Sequence, residues 1–168
     1  RRTITFVAVV MLATSAVTHA YEQPTHRDIT KRAAQPSVSR VDAVLRQELA
    51  ISEGVQAQFP GTCHRLTRPV EELLADGADC EDDPSTRSLR HFHNPVGDPW
   101  DAAGFGGRYQ SSVLWQQNPA QGGGGNWSWR DAREAYTRAL TARTRAEQDK
   151  ALGELFEGLG HLIHLVQD

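Results

Sequence analysis

The sequence has only two cysteines, Cys63 and Cys80, in 168 residues. Two thiols that far apart do not make a zinc-finger pattern, so any metal site must be built from histidine and carboxylate. Lysine and arginine are scattered rather than striped. At a net charge of −3 the chain has no bulk attraction for a polyanion. No run alternates polar and apolar residues at the strand period, and no internal repeat is present. The glycine-rich "QGGGGNWSW" is not followed by Gly-Lys-Ser/Thr. It therefore reads as a surface loop and not as a phosphate cradle.

What is present begins with residues 1–20, "RRTITFVAVVMLATSAVTHA". Two arginines precede an apolar run from Phe6 to about Val17, and Thr18 and Ala20 occupy the −3 and −1 places of a cleavage site. This is the layout of a signal peptide, and the run is short for a membrane span. An N-terminal anchor is the alternative. The arginine pair fits a twin-arginine signal poorly. Export, secreted or periplasmic, places the two cysteines in an oxidising compartment. There a Cys63–Cys80 disulfide is expected, worth on the order of 3 kcal/mol. Position 1 is not Met, and Asp168 lies inside a helical pattern without a C-cap signal, so the chain reads as part of a longer protein.

The remainder, 21–168, reads as helical. "THRDIT" pairs Thr25 with Asp28, and "SRVDAVLRQELAI" pairs Ser39 with Asp42, both in the relation of a capping box. Val41, Val44, Leu45 and Leu49 follow as one apolar face. "RPVEELLADG" places Pro69 near a helix start and Gly77 past its end. From Ala78 to about Asn126 the chain is rich in Gly, Pro, Asp and Asn. It reads as long loops, ordered by Phe92, Trp100, Phe105 and Trp115. Two helices follow, opened by Ser128 with Asp131 and by Thr144 with Glu147. In the second, Leu152, Leu155, Phe156, Leu159, Leu162, Ile163 and Val166 keep the helical period. The expected class is all-α.

That last helix ends "LGHLIHLVQD". His161, His164 and Asp168 are spaced i, i+3, i+7 and share a stripe on an otherwise apolar helix. A carboxylate there is costly unless it is paired or binds a cation. Upstream, "GADCEDDPSTRSLRHFHNP" gathers acids and two histidines around Phe92. Read alone, it is either a metal-ligand loop or a solvated acidic loop ending in an Asn94-Pro95 turn.

The acidic "GAxxED" followed by "HFHNP", and later "LGxxxHxxxD" on a helix, resembles the zinc-dependent phospholipase C family, whose scaffold also serves the single-strand-specific zinc nucleases. The resemblance implies a multi-helix domain with long ordered loops around a zinc cluster, of which this chain is the N-terminal part. It implies that the mature chain starts with an aromatic residue whose amino group and carbonyl bind zinc. Cleavage after Ala20 supplies Tyr21, where the family usually has Trp, and His26 follows five residues later. Carried over, Asp82, His91, His164 and Asp168 are the ligands of one zinc. Tyr21, His26 and the bridging Asp168 are those of another. Asp79 is the alternative to Asp82. His93 is read as a loop residue, and His161 as a core histidine, with a supporting place behind the ligands as its alternative. A third zinc would need residues beyond Asp168.

The chemistry is coherent. An α-amino group titrates near ~8, so a cation can displace its proton at neutral pH, which a peptide amide does not allow. Clustered zinc ions suit phosphodiester hydrolysis by activated water, with Asp82 orienting that water. The expected substrate is a phospholipid at a membrane surface, with no obligate protein partner evident. Single-stranded nucleic acid is the alternative, with Trp100, Trp115, Trp127 and Trp129 as base platforms. A non-catalytic secreted binding domain is a third reading. The 168 residues alone are expected to be inactive.

Overall fold

A computed structural model of the chain describes residues 23–96 and 104–168. Residues 1–22, with the signal-peptide reading and Tyr21, lie outside the described residues, as does Trp100. The described chain is mostly helical, as expected. The helices are α1 (Gln23–Ala34), α2 (Val41–Gln47), α3 (Val70–Cys80), α4 (Ser112–Trp115), α5 (Trp129–Thr141) and α6 (Arg145–Gln167). Short 3₁₀ turns occur at Gly54–Gln56, Ser85–Arg90 and Phe105–Gly107.

The exception is a small antiparallel hairpin, β1 (Gln58–Pro60) and β2 (Thr67–Pro69), with Phe59 opposite Arg68. No strand was expected. Three residues are too few for period-two alternation to stand out.

Helix α6, 23 residues long and so roughly 34 Å from end to end, is the spine. It packs against α3 and α5, and α1 packs on α3. Leu152, Leu155, Phe156 and Leu162 of α6 join Leu73 and Leu74 of α3, Ala132, Ala135 and Ala139 of α5, and Phe59 in one core. Val166, expected on the packing face, is instead 78% exposed. Leu45 of α2 is buried, with Val41 and Leu49 packed at the core's edge.

Gly77 does not end α3, which continues to Cys80. A Cβ at Gly77 would strike the backbone carbonyl of Glu157, and one at Gly160 would strike that of Leu74. The two helices touch backbone to backbone here, which only glycine permits. The residue read as a helix stop is therefore a packing residue.

The two downstream capping boxes form, Ser128 with Asp131 and Thr144 with Glu147. The two upstream ones do not. Thr25 lies inside α1. Helix α2 starts after Arg40 without a side-chain cap, because Asp42 accepts instead from the Val55 amide at 3.0 Å and from Arg46 Nε at 2.8 Å.

Between α3 and α5 the chain is irregular but ordered around Trp115, which is 2% exposed. Phe92 and Phe105 meet with tilted rings, centroids 5.0 Å apart, near the surface. Gly122 to Gly125 all have positive φ, and the carbonyls of Gly122, Gly123 and Gly125 accept from Arg87 Nη1 at 3.1–3.2 Å. Cys63 and Cys80 form the expected disulfide, tying the hairpin loop to the end of α3. Buried Glu157 on α6 holds the same loop, accepting from the Thr62 hydroxyl and from the Thr62 and Cys63 amides. Among the described residues, no helix is long and apolar enough to cross a membrane.

Candidate metal centre

Three segments converge at the C-terminal end of α6. Helix α1 supplies His26. The turn after α3 supplies Asp82, and the end of the Ser85–Arg90 turn supplies His91. Helix α6 supplies His164, and Asp168 caps its C-terminal end. His26, His91 and His164 are essentially buried, and the Asp168 carboxylate is 7% exposed.

The geometry centres on Asp168, whose two oxygens face opposite sides. Oδ1 lies 3.2 Å from His26 Nε2. Oδ2 lies 2.9 Å from His91 Nδ1 and 3.2 Å from His164 Nε2. His164 Nε2 and His91 Nδ1 are 3.1 Å apart. Asp82 Oδ1 completes the group, 3.5 Å from His91 Nδ1 and 3.8 Å from His164 Nε2.

Asp82 Oδ1, His91 Nδ1, His164 Nε2 and Asp168 Oδ2 are thus spaced 2.9–3.8 Å in five of their six pairings. Donors at zinc–nitrogen distances of 2.0–2.1 Å define a tetrahedron with edges of about 3.3 Å. The donor types and the spacing fit a small divalent cation. A second trio, His26, His164 and Asp168, also brings one donor atom each within 4.8 Å of one another. Asp168 belongs to both sides.

Hydrogen bonds behind the ring nitrogens orient them. His164 Nδ1 donates to the Ala78 carbonyl at 2.6 Å. A carbonyl only accepts, so the proton is on Nδ1 and the Nε2 lone pair faces the cluster. His26 Nδ1 donates to Gln167 Oε1 at 2.7 Å, while Gln167 Nε2 donates to Thr30 Oγ1 at 2.9 Å. His26 Nε2 is left facing Asp168.

The charges of the cluster set its electrostatics. Burial alone would lower the His91 pKa, but the Asp168 and Glu81 carboxylates outweigh it and lift it to about 9. Burial raises the Asp168 pKa, yet His164 and His91 hold it well below the usual carboxylate range.

Of the expected ligands, the structure brings together His26, Asp82, His91, His164 and Asp168. Tyr21 lies outside the described residues. The Asp79 carboxylate lies instead 3.7 Å from His64 Nε2. His93 is half-buried in the loop beyond His91. His161 is buried one turn before His164, stacked on Trp127 at 4.6 Å with Nδ1 2.6 Å from Glu81 Oε2. Burial depresses its pKa.

The sequence reading missed Glu81, which is 0% exposed. Its Oε1 accepts from Trp115 Nε1 at 2.9 Å, and its Oε2 accepts from Arg87 Nη2 at 2.7 Å and from His161 Nδ1. Burial raises its pKa, but His161, His91 and Arg87 reverse this and hold it well below the ordinary glutamate value. In "ADCEDDP" one acid resembles the next, and only the tertiary contacts set Glu81 apart. Gln167 and the Ala78 carbonyl were also missed, since neither residue type signals a site.

No family model, curated protein or solved structure matches the chain.

Proposed function

We propose that this chain belongs to an exported, zinc-dependent phosphodiester hydrolase of the phospholipase C kind, with a phospholipid at a membrane surface as substrate. The observation that carries this reading is the convergence of His26, Asp82, His91, His164 and Asp168, drawn from three distant segments, with donor spacings suited to zinc. His26 and Asp168, with the amine of Tyr21 freed by cleavage, hold one cation. Asp82, His91, His164 and Asp168 hold the other. A bound cation supplies positive charge to phosphoryl oxygens and lowers the pKa of a water.

The chain's own groups do the rest. Asp168 divides its two oxygens between the two sides. Asp82 is the most exposed member of the set, with its side chain at 21%. It borders a cavity of about 600 Å³ lined also by Gln23, His64, Asp79, Asp83 and Ser85. From that border its carboxylate accepts a hydrogen bond from an entering water and orients it.

The cavity lining favours a phospholipid over nucleic acid. Among the described residues it carries three aspartates and no lysine or arginine, a poor surface for a polyanion. Two of the tryptophans named as base platforms are used in packing: Trp115 is buried, and Trp127 lies against His161. Trp129 is exposed.

The test is hydrolysis of a phosphatidylcholine analogue beside single-stranded DNA by the full-length protein processed after Ala20, with its zinc content measured. Zinc with lipid turnover is expected. Turnover of DNA alone moves the assignment to the nuclease branch. Neither zinc nor turnover leaves a helical binding domain.

A further inference from the structure

We propose that Glu81 is a positioning residue for this metal centre and acts through His91. The inference rests on the zinc reading above. It concerns a residue that offers no oxygen to the donor set itself and meets the cluster only behind His91.

Three observations point to it. The two nitrogens of His91 face different surroundings. Nδ1 faces Asp168, Asp82 and His164. Nε2 is buried without a hydrogen-bond partner among the described residues, and the nearest carboxylate oxygen is Glu81 Oε1 at 3.6 Å. That distance is a few tenths of an ångström too long for a hydrogen bond. A small rotation of the ring as Nδ1 meets a cation would close it. Second, Glu81 is held from three sides, by Arg87, by the Trp115 indole and by His161. It cannot swing away from His91. Third, the other fully buried glutamate, Glu157, is spent on Thr62 and Cys63. Glu81 is the one that faces a ligand.

The physical role is that of a carboxylate behind a ligating imidazole. With the proton kept on Nε2, Nδ1 presents its lone pair to the cluster, and the negative charge makes the ring a better donor. Arg87 keeps that charge compensated. Its Nη1 donates to carbonyls of the glycine loop and its Nε to the Glu81 carbonyl, so Arg87 is itself held in place.

The test compares the full-length processed protein with Glu81→Gln, with the paired Glu81→Gln/Arg87→Gln variant, which leaves no buried charge unmatched, and with Glu157→Gln as a control. Zinc affinity is read by competition with a chromophoric chelator, the cobalt-substituted protein by visible absorption, and folding by thermal melting. Both Glu81 variants are expected to bind zinc 10- to 100-fold more weakly with altered cobalt bands. Glu157→Gln should lower the melting temperature and leave the cobalt bands unchanged. A folded paired variant with the parent's affinity and spectrum overturns the proposal.

A measurement on the unaltered protein decides the matter if the variants do not fold. Nitrogen NMR of zinc-loaded protein should show His91 protonated on Nε2 and ligating through Nδ1, and the reverse overturns the proposal. Failure of the unaltered protein to bind zinc would instead remove the underlying zinc reading.

Discussion

At the scale of single residues, Asp168 is the pivot. One oxygen serves His26 and the other serves His91 and His164. Asp168→Asn removes the charge both sides share, so the folded variant should lose zinc from both positions by elemental analysis. Full zinc retention would contradict the bridging role. The metal-free protein should also show a defined pH response. The folded pKa of His91 is raised from 6.5 to about 9, so its stabilisation is complete below pH 6.5 and is lost as pH rises towards 9. The amount is on the order of 3 kcal/mol. Buried His161 is shifted the opposite way, so its neutral form is favourable above 6.5 and costs stability below. Glu81 and Asp168, both lowered, lose their contribution as pH falls through the carboxylate range. Chelator-treated protein should therefore be most stable near pH 6.5, as read by melting temperature. Saturating zinc should remove the alkaline decline, because a cation replaces the proton on His91.

The residues of the cluster were legible because helical spacing put His164 and Asp168 on one stripe and the loop wording pointed to His91. Their supports were not. Glu81, Gln167 and the Ala78 carbonyl acquire their roles only when α1, α3 and α6 pack together.

At the scale of elements, the contrast among the caps is instructive. Ser128 with Asp131 and Thr144 with Glu147 act within their own turn, so sequence spacing sufficed. Asp42 had the same spacing from Ser39, but a stronger claim from the Val55 amide and Arg46 won. Gly77 shows the same override in packing. By helix propensity alone, Gly77→Ala would stabilise α3 by about 1 kcal/mol. Here the added methyl meets the Glu157 carbonyl of α6. Separating two helix backbones should cost more than the propensity gain, for a net loss of about 1–3 kcal/mol. Thermal or denaturant unfolding of the variant would measure it. Higher stability would mean that α3 and α6 are not in backbone contact.

At the scale of the whole molecule, the all-α class follows from long helical periods, while the hairpin escaped notice because its strands have three residues each. The disulfide joins that hairpin's loop to the end of α3, one residue before Glu81 and two before Asp82. Replacing both cysteines with serine should lower unfolding free energy by about 3 kcal/mol. The same change should loosen the turn that carries Asp82 and weaken zinc binding. Unchanged stability on a reduced-versus-oxidised comparison would show that Glu157 holds the loop unaided. The proposed Tyr21 amine makes a further demand: protein retaining Ala20, or acetylated at Tyr21, should lose one cation while keeping its helices by circular dichroism.

The glycine stretch at 122–125 has a polarity of its own. A nest for phosphate turns amide hydrogens towards its guest, whereas here the carbonyls turn inwards onto the Arg87 guanidinium. The loop is a socket already filled by the protein's own cation. A protease that ignores the native chain should therefore cut at this stretch once Arg87 is shortened, and the clip would report from outside on the state of the buried glutamate that the same arginine grips.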